Sequence, residues 1–233
     1  MARCLFVESV ALDVYGQMAL DDILVPRAAQ GLALARFYNW RQTPAATFGY
    51  AQFENTARSQ IQEAGIKEFT RRPTGGGVVL HKDDLTFSLI FTQAANLKPS
   101  QIYSRLHALI KEEFERSGVA LGVYNAQSDY RPAVGGVSQN CFTNPVADDL
   151  MRRGGGKVLG GAIRRFGGAI LYQGSLQLPA ARQNKAYQSI IKTAALKFLE
   201  AKEEREILSN AVLNEAYSLA HGRYGAKEWV EKF

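Results

Sequence analysis

The 233-residue chain has little of what holds secreted or membrane proteins together. Its two cysteines are too few for a disulfide framework or a zinc site. No apolar run approaches the roughly 20 residues that span a bilayer. Glu8 and Asp13 interrupt the apolar N-terminus, where a signal peptide needs an unbroken apolar core. These absences predict a cytoplasmic protein with no membrane-spanning segment and no bound metal.

The charge balance is mildly basic, and it excludes fewer classes of protein than the cysteine count does. Lysine and arginine total 28 against 22 aspartates and glutamates, a formal net charge of +6. Such a surface suits a nucleic acid, an acidic protein or an anionic small molecule. Because the sequence contains no aromatic-interleaved RNA motif and no helix–turn–helix pattern, we do not expect a nucleic acid partner.

Helix-like and strand-like segments are interspersed, which predicts an α/β (α+β) fold. Apolar residues at helical spacing predict helices over 16–29, 55–65, 99–118 and most of 181–233. One hairpin is predicted from strands 77–81 and 85–91, and a second from strands 157–165 and 169–178. Without repeats or low-complexity linkers, residues 1–233 are expected to form a single domain, in which helices flank a mixed, mostly antiparallel sheet.

The stretch RRPTGGG, residues 71–77, places three glycines after two cations. Three glycines cost backbone entropy and offer no side chain to pack, so a strand gains nothing from them. Consecutive amides can form a concave anion site, and arginine can bind a carboxylate or phosphate at two points. A mobile turn with solvated arginines is the alternative. The candidate ligand-binding residues are Arg71, Arg72, Thr74, Gly75, Gly76 and Gly77.

A second glycine-rich stretch, GGGKVLGGAIRR at 154–165, is superficially similar to a phosphate-binding loop. Lys157 is followed by Val158, so the hydroxyl residue that would bind magnesium is missing. Strand-like residues follow, which also excludes the strand–turn–helix context of a dinucleotide-binding loop.

These segments and several others together resemble the biotin/lipoate protein ligase superfamily. Within it they are most similar to the branch of lipoate–protein ligase A and the cysteine-dependent octanoyltransferases. The matching stretches run in chain order: QMALDD (17–22), RFYNW (36–40), FGYAQ (48–52), RRPTGGGVVLH (71–81), DLTFSL (84–89), GKVLGGAIRR (156–165) and LYQGSL (171–176).

The resemblance implies transfer of an octanoyl or lipoyl group to one lysine of a small acidic carrier. The implied acceptors are lipoyl-domain proteins, namely the glycine-cleavage H protein and E2 subunits, and the implied donor is octanoyl-acyl carrier protein. It assigns Lys157 a catalytic role in orienting the acyl carbonyl and moving protons. Further substrate-binding residues implied by the matching motifs are His81, Gly160, Gly161, Ala162, Gln173, Gly174 and Ser175.

Cys141, in SQNCFTNP, resembles the "CF" motif of the cysteine-dependent octanoyltransferases. It is the expected nucleophile, although a small buried hydrophobe is the alternative for any cysteine. A thiolate needs a positive neighbour to lower its pKa, and Lys157, Arg71 and Arg72 are the candidates. Cys4 is expected in the core, and His107 and His221 in packing or surface positions.

Three functions remain open at this point. The thiol and the lack of a C-terminal accessory domain favour an octanoyltransferase that needs no cofactor, or an amidotransferase between carrier domains that uses the same cysteine. An ATP-dependent lipoate ligase, which would use ATP and Mg, would also employ Lys157 and the glycine loop. A non-catalytic acyl-binding relative is compatible with Gly161 and Gln173, which differ from the residues usual in the family.

Overall fold

The computed structural model describes residues 2–28, 32–92, 96–125, 142 and 145–233. Cys141 therefore lies outside the described residues. The strands are β1 Ala2–Val7, β2 Ala11–Leu12, β3 Ala33–Phe37, β4 Asn39–Trp40, β5 Ala45–Phe48, β6 Glu68–Arg71, β7 Val79–His81, β8 Leu85–Phe91, β9 Leu121–Val123, β10 Leu150–Arg152, β11 Lys157–Phe166, β12 Ala169–Leu176 and β13 Ala201–Glu206. The helices are α1 Val14–Ala28, α2 Glu54–Glu63, α3 Pro99–Arg116, α4 Lys185–Leu199, α5 Asn210–Leu219, a π-helical turn at Ala220–Tyr224 and α6 Lys227–Val230.

In the described residues, eight strands form the main sheet in the order β13-β1-β3-β8-β12-β11-β10-β9. The pairings of β13 with β1 and of β1 with β3 are parallel, and those from β3 through β9 are antiparallel. A smaller sheet has the order β6-β5-β7, and β2 pairs with β4. The predicted mixed, mostly antiparallel sheet flanked by helices is confirmed.

Alternating residues of the central strands belong to two separate hydrophobic cores, one on each face of the main sheet. Leu89 and Ile170 pack with α3 and α4, whereas their chain neighbours Ile90 and Leu171 pack with α1 and α5. This period of two is the one expected for a strand buried on both faces. Gln173 and Ser175 share the parity of Leu171, so they belong to the α1 face.

Several predicted elements are confirmed. Helix α3 begins with Pro99 at its first turn and is followed by Gly118 at φ +80°, a left-handed conformation that ends the helix. Strands β11 and β12 form the second predicted hairpin, with Gly167 at φ +57° in the turn.

Two predictions are wrong. Strand β7 pairs with β5 in the small sheet, whereas β8 pairs with β3 and β12 in the main sheet, so the predicted hairpin of 77–81 with 85–91 does not form. Residues 201–206, predicted helical, form β13, which pairs with β1 at an edge of the main sheet. Glu200 at φ +49° ends α4 just before it. The charged sequence AKEERE suits an edge, because charge discourages pairing with another chain.

None of the helices in the described part of the chain combines the length and the apolar character required to cross a membrane.

Candidate functional site

A pocket lies between the β11–β12 hairpin of the main sheet and strands β5 and β7 of the small sheet. Its empty space is about 450 Å³, counting the open mouth. The lining residues are Met18, Tyr38, Thr47, Arg72, Val79, His81, Thr86, Phe142, Lys157, Gly160, Gly161, Ala162, Gln173, Gly174 and Ser175. The pocket thus brings together most of the site residues expected from the sequence.

The paired strands β11 and β12 form the side of the pocket that belongs to the main sheet. The register pairs Gly160 with Ser175, Gly161 with Gly174 and Ala162 with Gln173. A Cβ on Gly161 would overlap the ring of Tyr172, and one on Gly174 would lie 2.5 Å from Phe87 Cζ. The two central glycines therefore leave room for aromatic rings that support the sheet from its other face.

Lys157 and Asp149 form a buried ion pair at the edge of the pocket. Lys157 Nζ lies 2.8 Å from Asp149 Oδ2, and the two side chains are 5% and 3% exposed. Burial raises the pKa of Asp149, and the positive charge of Lys157 acts in the opposite direction. The lysine side chain lies over Gly160, where a Cβ would be 2.5 Å from Nζ. The pair therefore places a cation at the pocket without a large net charge.

Phe142 lines the pocket next to Lys157. Its ring centroid is 5.2 Å from Lys157 Nζ, within reach of a cation–π contact. Phe142 directly follows Cys141 in the sequence.

A network of buried polar side chains lies beneath the pocket. Arg36 Nε donates to Asp21 Oδ1 over 2.7 Å, and the Tyr38 hydroxyl donates to Asp21 Oδ2. Gln173 Nε2 donates to Asp21 Oδ2 over 2.8 Å and to the Tyr38 hydroxyl over 2.9 Å. Thr74 donates to Gln173 Oε1 over 2.6 Å. Through Gln173, the network connects the main sheet to the start of the glycine loop.

His81 is held in the wall opposite the glycine strands. Its Nδ1 lies 2.9 Å from Asp84 Oδ2, its Nε2 lies 3.0 Å from Thr47 Oγ1, and its ring stacks on Trp40 with centroids 4.5 Å apart. Thr86 and Ser175 each donate to the same Asp84 oxygen over 2.7 Å.

The two neighbouring arginines have different surroundings. Arg72 lines the pocket, where Nε donates to the carbonyl of Gly75 over 3.0 Å and Nη1 to Thr47 Oγ1 over 3.4 Å. The Arg71 guanidinium instead donates to backbone carbonyls, those of Trp229 at 3.0 Å, Val230 at 2.7 Å, Tyr50 at 2.6 Å, Gln52 at 2.6 Å and Gly49 at 3.4 Å. Arg71 thereby ties the C-terminal helix to the loop after β5.

The glycine loop lies beside the pocket, and Gly75, Gly76 and Gly77 are not among its lining residues. Gly76 has φ +91°, and a Cβ built on Gly49 would overlap the Gly76 carbonyl. The close approach explains glycine at position 49, and the left-handed φ explains glycine at position 76.

Sequence reasoning did not identify four polar residues that support the pocket. Asp21 and Asp84 lie inside the stretches that resemble the family, but the resemblance did not assign either aspartate a role. Nothing in the sequence indicated Thr47 or Asp149. Strand pairing brings Thr47 to His81, and a loop brings Asp149 to Lys157. Among the described residues, no group of three or more metal-binding side chains is found.

Several known proteins are similar to this chain. The model of the lipoyl protein ligase A/B catalytic domain matches residues 13–214. Over 179 residues the chain is 32% identical to octanoyltransferase LipM of Oceanobacillus iheyensis, an alignment that covers 74% of this chain and 63% of that protein. The chain thus spans less than two thirds of that relative's length.

Two solved structures share the fold. One is lipoate-protein ligase A bound with ATP, with a TM-score of 0.76 at 16% identity over 99% of this chain and 98% of that one. The other is a bi-partite lipoate protein ligase from Thermoplasma acidophilum, studied with its E2 lipoyl domain, with a TM-score of 0.73 at 15% identity over 99% of this chain and 96% of that one.

Proposed function

Because the chain belongs to the lipoyl protein ligase A/B catalytic domain family, we propose that it is an acyltransferase of protein lipoylation. It moves an octanoyl group, or a lipoyl group, from a thioester such as octanoyl-acyl carrier protein to a lysine of a carrier domain. The similarity to an octanoyltransferase supports the choice of donor. The structural likeness to a ligase that was studied with an E2 lipoyl domain supports the choice of acceptor.

The observation that carries the proposal is the position of Lys157. Its ammonium group lies in a pocket that glycines line, against the ring of Phe142, which follows Cys141 in the sequence. A nearby cation lowers the pKa of a thiol and so raises the thiolate fraction. Cys141 lies outside the described residues, and its role as nucleophile rests on its sequence position beside Phe142.

The reaction proceeds in two steps. The Cys141 thiol loses its proton to solvent, its thiolate attacks the thioester carbonyl carbon, and a new C–S bond forms. The donor's C–S bond breaks, and the donor's sulfur leaves as a thiol after taking a proton from solvent. The neutral amine of the acceptor lysine then attacks the enzyme thioester, a C–N bond forms, the C–S bond to Cys141 breaks, and the nitrogen gives up its surplus proton as the Cys141 sulfur is released as a thiolate. Lys157 stabilises the negative charge on the carbonyl oxygen in both steps. No nucleotide or metal is consumed in this sequence.

The proposed partners are acidic carrier proteins, which the net charge of +6 favours during encounter. The glycine-cleavage H protein, the E2 lipoyl domains and octanoyl-acyl carrier protein are the candidates. Arg72 and the strand residues Gly160–Ala162 and Gln173–Ser175 are assigned to holding the acyl group.

Intact-mass analysis tests the proposal directly. The protein is mixed with octanoyl-acyl carrier protein in the absence of ATP, and a gain of about 126 Da is expected, since an octanoyl thioester replaces the thiol hydrogen. Cys141→Ala should abolish the gain and Cys4→Ala should not. Modification of a lipoyl domain only with ATP and free lipoate would instead establish a ligase, and a mass gain that survives Cys141→Ala would remove that residue from the mechanism.

A further inference from the structure

His81 has the surroundings of a general base, although the two-step reaction above gives it no proton to move. Its side chain is 3% exposed and that of Asp84 is fully buried, yet His81 and Thr47 are both lining residues of the pocket. One ring nitrogen contacts a carboxylate and the other contacts a hydroxyl. A histidine oriented by a carboxylate and facing a ligand site has the arrangement of a base with its orienting group.

The hydrogen bonds around Asp84 determine which nitrogen carries the proton. Burial by itself raises the pKa of Asp84, but the charge of His81 and the hydrogen bonds from His81, Ser175 and Thr86 together lower it below its ordinary value. An ionised carboxylate can only accept, so the proton of a neutral imidazole is on Nδ1 and Nε2 is a hydrogen-bond acceptor.

The hydroxyl of Thr47 connects that nitrogen to the pocket. Arg72 Nη1 donates to Thr47 Oγ1 over 3.4 Å, and Oγ1 lies 3.0 Å from His81 Nε2. Since the guanidinium cannot accept, the threonine hydroxyl accepts from Arg72 and donates to His81 Nε2. His81 Nδ1 in turn donates to Asp84. A proton that reaches Thr47 from the pocket can therefore be passed to Nε2.

Two arginines lie near the His81–Asp84 pair. Arg72 acts through Thr47 on β5, and Arg182 Nη2 lies 3.4 Å from the second Asp84 oxygen. Lys157 belongs to the opposite side of the pocket and is paired with Asp149. An ammonium group in an ion pair can donate a proton but cannot accept one, so Lys157 is unsuited to the base role and His81 has the required lone pair.

We propose that His81 is the general base of the second step, with Asp84 as its positioning residue; this inference rests on the proposed acyl transfer. The acceptor lysine first loses one proton to solvent, because its free amine is the nucleophile. As the amine attacks and the C–N bond forms, its surplus proton passes through Thr47 to His81 Nε2, and the C–S bond to Cys141 breaks. The thiolate leaves, and His81 later returns the proton to solvent.

The two steps can be measured separately. Wild-type protein and His81→Gln are first loaded with octanoyl-acyl carrier protein, and the mass gain on Cys141 is followed. Glutamine can still donate to Asp84 and accept from Thr47, so it preserves the hydrogen bonds but is not a base. We expect His81→Gln to load, with a rate reduced far less than its rate of transfer, because His81 moves no proton in the first step. Transfer from the loaded enzyme to a lipoyl domain should be slower in His81→Gln by ~10²- to 10⁴-fold, the usual contribution of a positioned base.

A second nucleophile distinguishes base catalysis from a structural effect. Hydroxylamine is neutral at neutral pH and depends less on a base than lysine does, so it should discharge the loaded wild type and His81→Gln at similar rates. Asp84→Asn should slow lysine transfer in the same direction, because the imidazole loses its orienting carboxylate. His221→Gln is the matched control, since His221 is exposed on the π-helical turn, and both of its rates should equal those of the wild type.

Each outcome decides between the alternatives. Lysine transfer in His81→Gln at the wild-type rate would overturn the base role. A slowing of hydroxylamine discharge as large as that of lysine transfer would show that His81 only shapes the pocket. Loss of loading in His81→Gln would also overturn a role confined to the second step. If wild-type protein itself fails to load without ATP, the proposed function fails first, and the inference fails with it.

Discussion

Two buried ion pairs lie near the pocket: Arg36 and Asp21 beneath it, here called the floor pair, and Lys157 and Asp149 at its edge, here called the wall pair. They differ in their partners rather than in their burial. Arg36 and Asp21 are 2% and 0% exposed, and Lys157 and Asp149 are 5% and 3% exposed. Arg36 also donates to the side chain and the carbonyl of Gln17, at 2.7 and 2.6 Å. Asp21 accepts further hydrogen bonds from Ser88, Gln173 and Tyr38. Neither member of this floor pair lines the pocket, whereas Lys157 does.

The difference indicates what each pair is for. A buried charge is tolerated when its remaining hydrogen-bonding positions are filled, as they are around Asp21. Lys157 instead presents its ammonium to the pocket and to an aromatic ring, where it can respond to charge that develops on a ligand. We therefore expect changes in the floor pair to reduce stability and changes in the wall pair to reduce activity.

Replacing Arg36 should have the largest effect. Arg36→Met leaves Asp21 as a buried charge without its cation, and breaking a buried pair in this way costs about 3–5 kcal/mol of unfolding free energy. Urea denaturation measures the loss. Arg153→Met is the control, because Arg153 is exposed and surface changes usually stay within about 0.5 kcal/mol. A loss below about 1 kcal/mol for Arg36→Met would contradict the stabilising role assigned to the Arg36–Asp21 pair.

Replacing Lys157 should affect activity more than stability. Lys157→Met should slow acyl loading by ~10²-fold or more, as removal of a positioned catalytic group does. Its cost in urea denaturation should be smaller than that of Arg36→Met, because Asp149 already has a raised pKa and can become neutral by taking up a proton. Loading at the wild-type rate, in a variant that is destabilised as strongly as Arg36→Met, would make Lys157 a structural residue.

Much of the fold could be predicted because local patterns agree with it. The apolar stripe of α3 and the turn glycine between β11 and β12 each specify their element without long-range information. Strand β13 could not be predicted, since AKEERE has helical composition and becomes a strand only by pairing with β1. Likewise, β7 and β8 are close in sequence but belong to different sheets.

The candidate site could be predicted in its residue types but not in its contacts. The motifs indicated the family correctly, and most of the expected residues line one pocket. Arg71 and Arg72 are equivalent in sequence, yet one binds backbone carbonyls near the C-terminus and the other faces the pocket. Neighbouring residues of a strand point to opposite sides, but the stretch RRPTGGG does not show which side faces the pocket or where the last helix lies. The role of Cys141 and the single-domain organisation stay predictions.

A smaller effect on activity is expected when Lys157 is moved rather than removed. A Cβ in Gly160→Ala would be 2.5 Å from Lys157 Nζ, so the flexible lysine must shift. Because a misplacement of about 1 Å can cost 10²-fold, loading should slow by ~10- to 10²-fold with little change in stability. Gly168→Ala is the matched control in the adjacent turn, since nothing lies within 4 Å of its Cβ position. Equal loading in the two variants would show that the position of the ammonium group does not matter.

The smallest effect is a difference in pH dependence between two buried carboxylates, Asp149 and Asp84, that contact lining residues of the pocket. Burial raises the pKa of Asp149 above its ordinary 3.8, so the folded protein binds this proton more tightly than the unfolded chain does. The resulting stability is present below pH 3.8 and is lost as the pH rises through the raised pKa. For Asp84 the folded pKa lies below 3.8, so its contribution is present above that pH and is lost as the pH falls. Urea denaturation of wild type, Asp149→Asn and Asp84→Asn between pH 3 and 7 measures both effects by difference. Relative to wild type, Asp149→Asn should gain stability as the pH rises and Asp84→Asn should lose it, whereas slopes of the same sign would contradict the assigned environments.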